Sequence, residues 1–65
     1  MDVTTDNGLT VSHDMDTART AIYLVSGTTE EWEAMEAAEA VTGLVAEHAD
    51  PEPFYDGFTV TLWKA

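Results

Sequence analysis

Apolar and polar residues alternate over Leu9–His13, with Leu9, Val11 and His13 on one side and Thr10 and Ser12 on the other. That period of two predicts a short strand. The alternation returns over Phe58–Lys64, where Phe58, Val60 and Leu62 face one way and Thr59, Thr61 and Trp63 the other. Arg19–Ser26 is different: Ala21, Ile22, Tyr23, Leu24 and Val25 are apolar in unbroken succession. Such a run suits a strand covered wholly or partly on both faces.

Between these strands the period lengthens to that of a helix. Ala34, Ala37, Ala38, Val41, Leu44, Val45 and His48 fall on one side at 100° per residue; Glu33, Glu36, Glu39 and Glu47 fall on the other. The pattern predicts one helix over about residues 29–49. Thr28 and Glu31 have the spacing of a capping box at its start, and Asp50-Pro51 forms its stop. Trp32 and Gly43 lie on the acidic side, and neither is expected there. Residues 1–8 read as a loose lead-in ending in the turn signal Asn7-Gly8, across which Val3-Thr4-Thr5 can pair with Leu9-Thr10-Val11.

These elements give an α+β fold of order β-β-α-β within a single domain spanning residues 1–65. The expected sheet has three mainly antiparallel strands, with the order 2-1-3 favoured over one that sets strand three beside strand two, and the helix packed on one face. Leu9, Val11, Ile22, Leu24, Phe58, Val60 and Leu62 are then the core positions. The other face carries Thr10, Ser12, Tyr23, Val25, Thr59, Thr61 and Trp63 and is left bare. Tyr23, Val25 and Trp63 stand out on it, because contiguous exposed apolar groups mark contacts.

Charge changes the picture most. Thirteen acids face two bases, Arg19 and Lys64, for a net charge of −11 in 65 residues. With 45% apolar residues in clear periods, the chain is not of the disordered class. The acids are spread from Asp2 to Asp56 and form no tail. An acid-rich, lysine-poor composition with abundant Ala, Thr and Val resembles that of cytoplasmic proteins of extreme haloarchaea, and implies a salt-adapted protein. Molar salt shortens the Debye length to about 3 Å, so self-repulsion largely disappears. There is no cysteine, hence no disulfide or thiolate metal cage. No run of ~18–20 apolar residues suggests a membrane span and Met1-Asp2-Val3 lacks a leader pattern, so a cytoplasmic location is expected.

Candidate chemistry is sparse. No nucleophile elbow surrounds Ser12 or Ser26, no phosphate-binding loop occurs, and no catalytic residue or cofactor is expected. Two bases cannot neutralise a phosphate backbone, so nucleic acid is excluded as a partner. His13, Asp14 and Asp16 are weak metal candidates that lack the remainder of a calcium loop. His48 is expected at the helix end, facing its last carbonyls. The reading that survives is a non-enzymatic dimerisation or protein-interaction module, compatible with a regulatory role, whose contacts are Tyr23, Val25, Trp63 and Trp32. The alternative is a small-ligand or metal-ion binder using His13, Asp14 and Asp16.

Overall fold

The computed structural model describes residues 2–65, and Met1 lies outside them. The chain forms β1 (Asp2–Thr4), β2 (Thr10–Asp16), β3 (Thr20–Ser26), α1 (Glu31–Thr42), β4 (Val45–Pro51) and β5 (Gly57–Trp63). The five strands make one sheet in the order β1-β2-β3-β5-β4, antiparallel at every pairing, with α1 on one face. The class is α+β, but the three-stranded sheet of order 2-1-3 is corrected. Phe58–Trp63 pairs with β3, not with β2, and the sheet has two further strands.

The extra strand at the far edge explains the difference. The helix is 12 residues long and stops at Gly43, whose φ of +74° places it in the left-handed region that ends helices. Its N–H closes on the Glu39 carbonyl at 2.8 Å. The Thr42 hydroxyl donates to the Ala38 carbonyl and accepts from the Leu44 N–H, so the last turn is stitched before the chain turns away. A carboxylate oxygen of Glu39 then receives the Ala46 N–H at 2.8 Å, at the start of β4. Helix-like spacing continues through Val45 and His48, but those residues pair with Trp63 and Thr61. The helix does return the chain so that the next strand runs parallel to β3. That strand is Val45–Pro51, and the hairpin after it reverses direction, so β5 enters between β3 and β4 antiparallel to both.

The start of the helix also differs from the expected capping box. Glu30 is the cap residue, in extended conformation and without a side-chain cap bond. Thr28 is buried; its hydroxyl accepts from the Glu30 N–H at 3.0 Å and donates to a Glu33 carboxylate oxygen at 2.7 Å. The partner is therefore Glu33, not Glu31, because the helix begins two residues later than expected. At the other end of the chain the loose lead-in is replaced by a hairpin. Val3 pairs with Val11, and the Thr5 N–H donates to the Leu9 carbonyl at 2.7 Å to close the turn.

The core lies between the helix and one sheet face. Ala34, Ala37 and Ala38 are buried, and their small side chains let the helix axis sit close to the sheet. Val11, Val25, Val60 and Leu62 are the largest fully enclosed side chains. Tyr23 packs against this cluster from its margin. Ile22 and Leu24, across from Thr61 and Thr59, occupy the opposite face. This reverses the expected side for β3, since five consecutive apolar residues contain no period of their own. Register against Val11 and Phe58, both across from Val25, decides which set turns inward.

Candidate functional site

Cross-strand partners share a face, so the register identifies the residues on the side away from the helix. From β2 come Thr10, Ser12 and, beyond the bulge between His13 and Met15, Met15. From β3 come Thr20, Ile22, Leu24 and Ser26; from β5 come Thr59, Thr61 and Trp63. Val45, His48 and Asp50 complete the face on β4. No helix or strand among the described residues crosses this surface.

Two properties distinguish it. An apolar band runs through Met15, Ile22, Leu24, Trp63 and Val45, with Met15, Trp63 and Val45 exposed at 54%, 46% and 65%. Apart from Asp14 in the bulge of β2, the outward positions of the three central strands carry no formal charge, although the chain carries −11. The other acids that reach this side stand at its rim. Asp2 is on β1, where it accepts from the Ser12 hydroxyl at 2.7 Å, and Asp50 is on β4. Glu52 accepts from the Thr59 hydroxyl at the hairpin end. The Tyr55 ring lies against Gly57 in the same hairpin; burial raises its phenol pKa above the ordinary value, and the charges of Glu52 and Asp14 add to this.

The four expected contact residues do not form one surface. Trp63 is on the open face, as its alternation implies. Val25 is fully buried against the helix, and Tyr23 packs on the core with its ring 5.1 Å from that of His13. Both are removed from the open face by the register of β3. Trp32 is 61% exposed on the outer flank of the helix. There it borders an open groove of about 350 Å³ between the helix and the β1–β2 turn, with Asp6, Glu33 and Glu36 alongside. No buried side-chain polar atom among the described residues lacks a partner, so none is aimed unsatisfied into this groove. Met15, Ile22, Leu24 and Val45 were not legible as surface residues. Ile22 and Leu24 sit in the run without a period, Met15 follows a bulge, and Val45 belongs to a strand with helical spacing.

The metal candidates come together only in part. His13 Nε2 lies 3.0 Å from Asp16 Oδ1, and Lys64 Nζ lies 3.9 Å from Asp16 Oδ2. The His13 hydrogen bond holds the Asp16 carboxyl below its ordinary pKa, with Lys64 contributing. Asp14 lies within the bulge of β2 and is not part of this contact. Among the described residues no three His, Asp or Glu side chains converge as a metal site would require. His48, expected to face helix carbonyls, is instead on the edge strand β4. Its ring nitrogens lie 2.8 Å from Glu47 Oε1 and 3.4 Å from Asp50 Oδ2.

The fold and its surface define a small α+β domain in which a helix covers one side of an antiparallel sheet and the other side is bare. No family model, curated protein or solved structure matches the chain. No helix among the described residues is long and apolar enough to cross a membrane.

Proposed function

We propose that this chain is a non-enzymatic, salt-adapted cytoplasmic module that holds a folded protein partner on its open sheet face. The single observation that supports this most is the uncharged apolar band of Met15, Ile22, Leu24, Val45 and Trp63 in a chain of −11. Monomeric proteins rarely leave large apolar patches contiguous, and a patch rimmed by polar groups marks an interaction site. Threonines around the band supply side-chain hydroxyls that can hydrogen-bond across a contact. Trp63, at the end of β5, is the exposed aromatic residue of the band, and aromatic side chains carry a large share of interface energy.

A photo-crosslinking residue at position 22 tests this reading in the cells that make the protein. A discrete adduct is expected at position 22 and none when the same group replaces Ala40 on the exposed flank of the helix. Equal labelling at both positions, or none at either, overturns the interaction reading.

Salt adaptation has its own test. With thirteen acids against two bases, folding is expected to strengthen steeply from dilute buffer to molar KCl as repulsion is screened. The thermal midpoint, followed by circular dichroism, should rise by about 10 °C or more, because each kcal/mol is worth roughly 4–8 °C in a domain this small. A midpoint indifferent to KCl contradicts the adaptation.

A further inference from the structure

We infer that the groove between α1 and the β1–β2 turn binds a small quaternary ammonium compound, on the side of the molecule away from the open sheet face. Acidic side chains alone would mark no place in a chain that has thirteen of them. The indole of Trp32 does. Tryptophan is highly buried on average, yet Trp32 is 61% exposed and takes no part in the core, so the packing of the fold does not account for it.

The groove joins an aromatic wall, an apolar floor and surrounding negative charge. Its volume of about 350 Å³ is at the small end of ligand sites and suits one head group. Ala37 and Ala40 line it and keep it open, because their side chains end at a methyl. Its walls are held in place. Glu33 accepts the Thr28 hydroxyl at 2.7 Å. In the facing turn, which carries Asp6, the Thr5 hydroxyl donates to Asn7 Oδ1 at 2.6 Å and accepts from the Leu9 N–H at 3.1 Å. The Gly8 N–H donates to the Thr5 carbonyl at 3.0 Å.

The chain does not fill this groove with a cation of its own. Among the described residues no base pairs with Asp6, Glu33 or Glu36. Arg19 and Lys64 lie together beyond the other end of β2, where the Lys64 N–H donates to the Arg19 carbonyl at 2.8 Å.

The surroundings select the kind of cation. Asp6, Glu33 and Glu36 do not converge as a metal site requires, and an inorganic ion brings no apolar surface for the indole or the alanine methyls to cover. A primary ammonium or guanidinium group needs hydrogen bonds of fixed geometry, and Glu33 already spends part of its capacity on Thr28. A quaternary ammonium group is charged and apolar at once. Its methyls can cover the indole and the alanines, its charge is attracted to the ring quadrupole, and it needs no hydrogen-bond partner. Contact of this kind persists in molar salt, where attraction between separated charges is screened within about 3 Å.

The test is a titration of the whole chain with choline in about 2 M KCl, followed by NMR through the indole N–H signals of its two tryptophans. The Trp32 signal should shift and saturate in the millimolar range, while that of Trp63, on the other face, stays in place. Trp63→Phe removes one signal and so assigns both. The neutral analogue of choline, with carbon in place of the quaternary nitrogen, should bind at least about fivefold more weakly. Trp32→Leu should weaken choline by about fivefold or more, read from the Thr5 and Asn7 amides, with the circular dichroism retained because the residue is outside the core. Asp6→Asn with Glu36→Gln should weaken it by about threefold or more, whereas Glu47→Gln with Asp50→Asn, an equal change of net charge on β4, should not. Absence of a saturable Trp32 shift overturns the site. So do equal shifts of both indoles, equal binding of the neutral analogue, or full binding by Trp32→Leu. The interaction reading stands or falls separately, because the adduct captured at position 22 does not depend on Trp32.

Discussion

Replacing Gly57 with alanine is expected to cost about 2–4 kcal/mol, near the upper end for overpacking, and to lower the thermal midpoint by roughly 10–25 °C. A Cβ there would meet the Val25 carbonyl oxygen at 2.4 Å, Tyr55 Cε2 at 2.6 Å and Ser26 Cα at 3.0 Å. Two of those atoms are backbone of the neighbouring strand, which cannot rotate aside as a side-chain tip can. Gly57 opens β5 and pairs with Ser26, so any shift travels into the pairing between the two central strands. A domain of this length has only about 3–10 kcal/mol of stability to lose. Gly43→Ala provides the comparison. Its φ of +74° strains any other residue, but a Cβ there meets no neighbouring atom within 4 Å, and the loss should stay near 1 kcal/mol. Thermal melts of the two variants in the same molar KCl decide the matter. Equal small losses would mean that the close approach at Gly57 is not a constraint on the fold.

The second large effect separates two adjacent residues. Val25→Asp is expected to unfold the chain, because Val25 is 0% exposed and a lone carboxylate in that position has no partner. Leu24→Asp is expected to fold in molar KCl, because its side chain is on the open face between Ser12 and Thr59. It should instead lose the adduct captured by the photo-crosslinking group at position 22. Circular dichroism and crosslinking on the pair therefore read the orientation of β3 and the function of its outer face at once. If Leu24→Asp unfolds and Val25→Asp folds, the sheet is turned the other way, and the contact surface described above is the wrong one.

That orientation is also where sequence reading reaches its physical limit. Along Leu9–His13 and Phe58–Trp63 the alternation belongs to each strand alone, and the structure puts Leu9, Val11, Phe58, Val60 and Leu62 inside as expected. In Ala21–Val25 the local pattern is satisfied equally by either face. Only pairing with both neighbours selects Ala21, Tyr23 and Val25 as the inner set, and with that choice Tyr23 and Val25 leave the candidate surface while Ile22 and Leu24 join it. Trp63 was legible as an outward residue because its strand has a clear period. Trp32 was legible as an anomaly on the acidic helix side and is indeed largely exposed there.

The helix shows the same division. Its first half was readable from the stripe Ala34, Ala37, Ala38 and Val41, and its acidic side from Glu33, Glu36 and Glu39. Its end was not, because Leu44, Val45 and His48 sustain helical spacing beyond Gly43. A left-handed glycine and the Glu39 carboxylate receiving the Ala46 N–H stop the helix. The free edge of β5 then offers Val45–Pro51 a full set of strand partners, which outweighs the intrinsic preference of a few residues for the helix.

By itself, then, the sequence determined the α+β class, the inner faces of β2 and β5, the alanine stripe of the helix and a surface of very high negative charge. Each follows from local periodicity or from composition, which need no knowledge of neighbours. Tertiary structure decided the number and order of strands, the parity of β3, the recruitment of Val45–Pro51 into the sheet and hence the residues of the open face. Those depend on which backbone edges are left unpaired and on register across strands, quantities that exist only once the chain has folded.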